Sequence, residues 1–179
     1  MYAALKRYRT TVPQARALSI SHSERLCEVL GIARENIVTA DYPEYNILNL
    51  PREGAPFDYV VADQVLEHVE GDPRAAIASC ADALKTGGLL VVTTCLMQPI
   101  HGWPGDYWRF TPDGLRLLCG DELDVLEAAG WGNPAVLALD WLRLRFLPVP
   151  EARWHPMHWV ATWNRADWPI STWVVARKR

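Results

Sequence analysis

The sequence lacks the features that mark several common classes of protein. No apolar run approaches the roughly 18 residues that a membrane-spanning helix needs. Residues 1–10 contain Lys6, Arg7 and Arg9 without the apolar stretch of a secretory signal. Basic residues are not in surplus, since the formal net charge is −3, and such a chain is poorly suited to hold a nucleic-acid backbone. We therefore expect a soluble protein that binds neither membranes nor nucleic acids.

Cysteine is scarce, and no two cysteines form a C-x-x-C pair. The four cysteines are Cys27, Cys80, Cys95 and Cys119. Each lies among apolar neighbours, where a free cysteine packs as a small hydrophobic residue. This usage is typical of a reducing compartment, so we expect reduced thiols in a cytoplasmic protein.

The composition is that of an ordinary globular protein. Half of the 179 residues are apolar and 22% are charged, which suits one domain with one core. No internal repeat or linker-like stretch divides the chain, so we expect a single domain over residues 1–179 with an N-terminal extension at residues 1–14. Six of the nine tryptophans fall between Trp141 and Trp173, which predicts that they line a core or a pocket.

Strands and helices alternate along most of the chain. The predicted strands are residues 15–20, 36–40, 46–50, 57–62, 89–94, 136–139 and 171–176. The predicted helices are residues 24–30, 73–84, 112–119 and 121–129. Alternation of this kind implies right-handed crossovers and a mostly parallel sheet with helices on both faces. Ligands bind such sheets at the carboxyl ends of the strands, which directs attention to residues 19–23, Asp41, residues 63–68 and residues 95–109.

Two segments of the chain carry a family resemblance. Residues 57–69 read FDYVVADQVLEHV, and residues 85–92 read KTGGLLVV. In this order and spacing they resemble the class I S-adenosylmethionine-dependent methyltransferases, in the branch with FDxV…LEHV and KxGG segments. Further similar stretches are residues 41–45, 106–115 and 168–178. The resemblance implies an α/β, Rossmann-like, doubly wound sheet of seven strands, mostly parallel with an antiparallel last strand, and S-adenosylmethionine lying across the strand ends.

The glycine-rich first loop of that family is eroded in this chain. Where the family reads acidic-x-Gly-x-Gly, Ser19 stands at the acidic position and Ser21 and Ser23 stand at the glycines. The resemblance makes these serines cofactor-binding candidates, although a left-handed backbone costs more for serine than for glycine. The residues themselves favour another interpretation, because Ser21-x-x-Glu24 has the pattern of a capping box that satisfies a helix start with its own side chains.

Three polar residues at strand ends complete the predicted cofactor site. Asp41 follows the first loop by about 20 residues, the spacing at which a carboxylate binds ribose hydroxyls; the alternative is a turn residue before Tyr42-Pro43. Asp63 and Gln64 directly follow a strand, and the resemblance turns them toward the methionine part of the cofactor. Their alternative role is a polar helix entry.

Histidines offer candidates for proton transfer. His68 follows Glu67 and could serve as a general base, since neutral imidazole suits proton abstraction near pH 7; the alternative is a structural pair after the strand. His22 could bind the cofactor in place of the missing first-loop residues, or face solvent at a helix start. His155 and His158 have a spacing that invites a metal, but Pro156 is expected to break a helix there and no third ligand is near, so we expect no metal.

The most distinctive segment is the aromatic loop, residues 101–109, which reads HGWPGDYWR. It follows a predicted strand and should lie over the mouth of the site. The candidate substrate-binding residues are Trp103, Asp106, Tyr107, Trp108 and Arg109, with the polar side chains orienting a substrate between aromatic walls. The alternative is a loop whose aromatic side chains close the core.

The sequence therefore predicts S-adenosylmethionine-dependent methyl transfer to a small-molecule or sugar acceptor. A different class of function stays open, namely a non-catalytic methyltransferase-like subunit, or a binding protein with a degenerate cofactor site. The corresponding partners are a small-molecule substrate and either a second copy of the chain or a paired catalytic subunit.

Overall fold

The computed structural model describes residues 1–51, 53–102, 104–142, 144 and 148–179. Its strands are β1 (Ala17–Ile20), β2 (Ile37–Ala40), β3 (Phe57–Asp63), β4 (Leu84–Cys95), β5 (Leu123–Trp131) and β6 (Ser171–Lys178). Its α-helices are α1 (Tyr2–Leu5), α2 (Glu24–Val29), α3 (Pro73–Ala83), α4 (Pro112–Leu118), α5 (Pro134–Trp141) and α6 (Pro156–Thr162). The strands form one sheet in the order β2-β1-β3-β4-β6-β5.

The sheet is mixed, as the resemblance implied. Strands β2, β1, β3 and β4 run parallel, and β6 lies antiparallel between β4 and β5. The α/β class and the antiparallel last strand are therefore confirmed, but the expected seventh strand is not found among the described residues. The stretch predicted at residues 46–50 makes an isolated bridge from Asn46 to Asn49. The Asn46 side chain accepts a hydrogen bond from the Leu48 amide, which favours a local turn over pairing with the sheet edge.

Two elements near the C-terminal third were predicted with the wrong type. Most of residues 121–129, expected as a helix, lie in β5 (Leu123–Trp131), because antiparallel pairing with β6 overrides the helix propensity of this alanine-containing stretch. Residues 136–139, expected as a strand, lie inside α5. The helix signal was present, since the Asn133 side chain accepts from the Val136 amide and Pro134 takes the first helical position.

Helix starts with a polar cap followed by proline were predicted well. The Asp72 carboxylate accepts from the Arg74 amide at the start of α3, and the Thr111 hydroxyl oxygen accepts from the Gly114 amide at the start of α4. The same logic corrects the expectation for Pro156. It begins α6 instead of breaking a helix, and His155 accepts from the Met157 amide as the cap, because proline at the first helical position has no amide to leave unpaired.

Both faces of the sheet are covered. One face packs Leu18, Val60 and Leu90 under α3 and α4, and the other packs Val61 and Val91 under α1 and α2. The four cysteines are free and buried, as expected. Within the described ranges, no helix combines the length and apolar character needed to cross a bilayer.

The tryptophans of the last third divide between interior and surface. Trp173 on β6 is buried, with 3% of its surface exposed, whereas Trp141 on α5, Trp154 before α6 and Trp159 on α6 are 73%, 85% and 63% exposed. The expectation of a core or pocket lining is wrong for these three side chains. The sequence could not reveal this, because an apolar stretch looks alike whether or not another element covers it.

Candidate functional site

The loop after β1 keeps a backbone shape that glycine ordinarily supplies. Ser21 and His22 have φ angles of 49° and 65°, in the left-handed region that costs a non-glycine residue about 1–3 kcal/mol. Two hydrogen bonds to the end of β2 hold this shape. The Ser21 amide donates to the Ala40 carbonyl (3.1 Å), and the His22 amide donates to Asp41 Oδ1 (2.9 Å). Of the two serines at the glycine positions, Ser21 therefore keeps the left-handed backbone, whereas Ser23 has a φ of −87°.

The third serine of this loop joins two strand ends. Ser23 Oγ donates to the Ile20 carbonyl (2.5 Å) and accepts from the Asp63 amide (2.8 Å). Ser23 is also the residue that precedes α2, and no side chain caps that helix. The capping box expected for Ser21 and Glu24 is therefore wrong, because α2 begins two residues later than that pattern requires.

Ser19 lies within β1 and is fully buried. Its hydroxyl oxygen has no hydrogen-bond partner among the described residues. A buried hydroxyl without a partner loses its hydration without compensation, so Ser19 is an unsatisfied polar group near the end of β1.

Asp41 lies where the sequence placed it, at the end of β2. Its side chain is 33% exposed, and His22 Nδ1 lies 3.5 Å from Asp41 Oδ2. The His22 side chain is 79% exposed. The structure thus brings Asp41 against the first loop, where the carboxylate both supports the loop and still faces solvent.

Asp63 ends β3, and side chains of the protein hold both of its oxygens. Thr93 Oγ1 donates to Oδ1 (2.5 Å), and the Tyr2 hydroxyl of α1 donates to Oδ2. Burial and the contact with Asp63 raise the pKa of Tyr2 above its ordinary value. Gln64 has a φ of 59°, and its Nε2 donates to Thr93 Oγ1 (3.1 Å). No sequence pattern pointed to Tyr2, since it lies more than 60 residues from Asp63 and outside any motif.

Glu67 and His68 separate into different environments. Glu67 is fully buried, with Oε2 accepting from Thr94 Oγ1 (2.8 Å) and Oε1 without a partner among the described residues. Burial raises the pKa of Glu67. His68 Nδ1 contacts the Gly105 carbonyl. Because that carbonyl can only accept, Nδ1 is the donor in this contact, and Nε2 is an acceptor in the neutral imidazole.

Glu67→Gln is expected to change how stability depends on pH. A carboxyl whose pKa is raised on folding stabilises the folded state most at pH values below its unfolded pKa of about 4.5, and that contribution is lost as the pH rises. The neutral glutamine cannot titrate. The variant should therefore gain melting temperature relative to the wild type as the pH rises above about 4.5.

Thermal unfolding followed by circular dichroism across that pH range measures the effect. Glu53→Gln is the matched control, because Glu53 is exposed. A parallel pH dependence in the wild type and Glu67→Gln would contradict the raised pKa of Glu67.

The aromatic loop is fastened to the segment after β3. The Glu67 carbonyl accepts from the Tyr107 amide (2.8 Å) and the Trp108 amide (3.2 Å), and Trp108 Nε1 donates to the Val69 carbonyl (2.9 Å). The Trp108 ring stacks on Phe110 with 6.1 Å between centroids. Trp103 lies outside the described residues.

Asp106 and Arg109 form an ion pair within this loop. The Asp106 side chain is 1% exposed, and both of its oxygens accept from the Arg109 guanidinium. The His101 amide donates to Asp106 Oδ2 (2.9 Å). The hydrogen bond from Arg109 holds the pKa of Asp106 well below its usual range. The two charges therefore neutralise each other within the loop, where the ion pair has a structural role.

Two groups of metal-ligand side chains have donor atoms within 4.8 Å of one another in the described part of the chain. They are Glu67 with Cys95 and His101, and His22 with Glu24 and Asp41. In the first group, burial raises the pKa of Cys95 to about 12. A protonated thiol beside a carboxyl whose pKa is also raised is a poor set of ligands, since metal ions bind the deprotonated forms.

An open groove of about 630 Å³ lies between α1, β5 and α6. Residues along it include Ala4, Glu127, Ala129, Trp131, Ala161 and Trp173. It lies toward the carboxyl ends of the strands, because Ala129 and Trp131 fall in the last part of β5. Sequence reasoning missed this groove, since its walls come from three distant segments that share no motif.

Comparison with known proteins agrees with this geometry. A family model described as "Methyltransferase domain" matches residues 4–92. The ubiquinone biosynthesis O-methyltransferase of Cereibacter sphaeroides (strain ATCC 17025 / ATH 2.4.3) is 33% identical over 108 residues, covering 55% of this chain and 43% of the relative. The chain therefore spans about half the length of the curated relatives that it matches.

Solved structures share the fold at low sequence identity. The N-methyltransferase NodS from Bradyrhizobium japonicum WM9, in complex with S-adenosyl-L-homocysteine, aligns with a TM-score of 0.52 and 16% identity over 92% of this chain and 78% of its own. The methyltransferase in complex with the Haloferax volcanii activator Trm112 aligns with a TM-score of 0.61 and 16% identity over 99% and 88%. The fold, with its polar residues at the carboxyl ends of the parallel strands, defines a Rossmann-like methyltransferase architecture. By family, the chain belongs to the class I S-adenosylmethionine-dependent methyltransferases.

Proposed function

We propose that this protein transfers a methyl group from S-adenosylmethionine to a small-molecule acceptor. The observation that carries the proposal is the first loop, where Ser21 and His22 keep a left-handed backbone directly beside the half-buried Asp41 carboxylate. The relatives support it, because one is named an O-methyltransferase and a protein of the same fold binds S-adenosyl-L-homocysteine.

The residues present fit this cofactor. The Ser19 hydroxyl, which has no partner among the described residues, and the turn from Ser21 to Ser23 would provide polar groups near the ligand. Asp41 would bind the ribose hydroxyls, as carboxylates at this position of such folds do. Asp63 and Gln64 would lie at the methionine end.

When bound, the cofactor supplies an electrophilic methyl group on a sulfonium. The chain must then align the acceptor and exclude water, which supplies most of the acceleration for such a transfer. We assign proton removal to His68, whose Nε2 is left as the acceptor by the contact between Nδ1 and the Gly105 carbonyl. Asp106, Tyr107, Trp108 and Arg109 would form the rigid cover over that side of the site.

A second function is favoured by a specific observation. The carboxylates of Asp41 and Asp63 already accept hydrogen bonds from the His22 amide and the Tyr2 hydroxyl. A strand-end site closed by its own side chains would suit a non-catalytic subunit that binds an active partner or a second copy. The methyltransferase of the same fold that is seen with an activator protein illustrates that arrangement. In either role, we propose a single domain over residues 1–179. The free buried thiols suit a cytoplasmic protein.

Titration calorimetry with S-adenosyl-L-homocysteine separates these two functions. Micromolar binding with one site per chain is expected for the enzyme. Absence of heat at millimolar ligand would overturn the enzymatic proposal and favour the non-catalytic subunit. Adenosine serves as the control ligand, and it should bind more weakly because it lacks the amino-acid part.

A further inference from the structure

Helices α5 and α6 form a hairpin that stands apart from the core. All of their residues are described, and none is buried or belongs to the two apolar clusters that pack against the sheet. Short helices are normally stabilised by burying an apolar side against the rest of the protein. The chain itself supplies little of that burial here.

Hydrogen bonds nevertheless hold the hairpin in a defined position. Asn133 is fully buried, and its Oδ1 accepts from the Val136 amide (2.8 Å) at the start of α5. Its Nδ2 donates to the carbonyls of Val160 (2.9 Å) and Trp163 (2.8 Å) at the end of α6. The start of α5 is thereby fastened to the end of α6, so the hairpin presents a preorganised surface.

Three tryptophans of this hairpin expose most of their surface. Trp141, Trp154 and Trp159 are 73%, 85% and 63% exposed. Because a tryptophan side chain presents about 150–250 Å², the three together expose on the order of 450 Å². Each helix is only about 10–12 Å long, so the three side chains lie within reach of a single interface.

This exposed area matches what a stable dimer needs. A standard interface buries about 800 Å² on each partner, of which about 55–65% is apolar. The apolar share is therefore on the order of 500 Å² per partner, close to what the three tryptophans supply. Tryptophan is also one of the residue types whose removal weakens interfaces most.

The charge of the segment favours a protein partner over a bilayer. By sequence, residues 134–168 contain four arginines and three carboxylates, and Arg165 pairs with Asp167 within the chain. Segments that bind anionic lipids carry clusters of about four to eight basic residues without such compensation. A nearly balanced, tryptophan-rich surface is closer to the composition of a protein interface.

Two exposed charges make this surface complementary to itself. Glu151 and Arg153 lie two residues apart, directly before Trp154, and both are exposed. In a two-fold dimer, a residue i that contacts residue j of the other copy is matched by j contacting i. Glu151 of each copy can therefore face Arg153 of the other, which gives two ion pairs beside the tryptophans.

From these observations we infer that a second copy of this chain docks on the α5–α6 hairpin in a two-fold dimer. In this dimer Trp154 is buried and Glu151 of each copy faces Arg153 of the other. The inference concerns the surface of the hairpin and does not depend on the proposed function.

Sedimentation equilibrium of the full chain tests the inference. The wild type is expected to dimerise with a Kd of about 1–10 µM, and Trp154→Gln should raise that Kd at least about tenfold. The melting temperature of this variant should stay that of the wild type, because Trp154 is 85% exposed in the single chain. Leu117→Gln is the matched control and should dimerise like the wild type. Leu117 is exposed on α4, which packs on the sheet face opposite α1, whereas α6 lines a groove with α1.

Charge reversal tests the two-fold pairing. Glu151→Arg and Arg153→Glu should each raise the Kd several-fold, because like charges then face each other across the axis. The double variant Glu151→Arg with Arg153→Glu restores both pairs with their signs exchanged, so its Kd should return close to that of the wild type. It also keeps the net charge of the wild type.

Three results would overturn the inference. The first is a wild type that stays monomeric at about 100 µM, and the second is a dimer that Trp154→Gln leaves intact. The third is a double charge variant that dimerises no better than the single reversals. A monomeric wild type that cosediments with vesicles of phosphatidylcholine and phosphatidylglycerol, and loses this binding in Trp154→Gln, would assign the surface to a bilayer instead.

Discussion

Replacing Asp41 with alanine is expected to weaken S-adenosyl-L-homocysteine binding by more than about tenfold, because hydrogen bonds to a charged group contribute about 1.5–3 kcal/mol. The change removes the carboxylate proposed for the ribose hydroxyls. It also removes the acceptor of the His22 amide (2.9 Å), so the left-handed conformation of Ser21 and His22 loses a support. Calorimetric titration measures the change in affinity.

The controls separate these two contributions. Asp41→Asn keeps an oxygen for the His22 amide but loses the charge, so its affinity should lie between the wild type and Asp41→Ala. Glu44→Ala removes an exposed carboxylate from the same turn and should bind like the wild type. Wild-type affinity in Asp41→Ala would remove Asp41 from the site.

Replacing Arg109 with methionine is expected to destabilise the protein by about 3 kcal/mol, as breaking a buried ion pair leaves one charge uncompensated. Asp106 is that charge, since its side chain is 1% exposed and both oxygens accept from Arg109. The contribution is expected at pH values above the ordinary pKa of 3.8 and is lost as the pH falls, because Arg109 depresses the pKa of Asp106. Urea unfolding measures the difference.

The double variant Asp106→Asn with Arg109→Met tests the cause. It removes both charges, so it should recover a large part of the stability that Arg109→Met loses. If the double variant is as unstable as Arg109→Met, the loss comes from packing of the arginine side chain and not from the stranded carboxylate. A wild-type free energy of unfolding in Arg109→Met would show that the pair does not hold the loop.

Local signals in the chain were sufficient for the parallel half of the sheet. Two examples are the buried strand from Phe57 to Ala62 and the helix that starts at Asp72-Pro73. Both could be predicted locally, because burial pattern and helix capping depend on only a few neighbouring residues. The polar residues after β1, β2 and β3 could be expected at one edge, since the carboxyl ends of parallel strands meet there. The family resemblance then predicted that Asp41 and Asp63 bind the same ligand.

The same signals failed where distant contacts decided the outcome. Residues 123–131 are a strand only because β6 pairs with them. Tyr2 lies against Asp63 because α1 folds back over the sheet, and the open groove is lined by residues of α1, β5 and α6. No local pattern encodes such a meeting of segments.

Composition, the four parallel strands with the last strand, and the strand-end polar residues were thus predictable from the amino acids, because propensity, capping and alternation depend on near neighbours. The folded chain alone decided that Ser21 keeps a left-handed backbone at a glycine position, that Asp106 pairs with Arg109, and that an open groove lies between α1, β5 and α6. Each of these features depends on contacts with residues that are adjacent in the fold. Such contacts can outweigh the conformational preference of the local sequence.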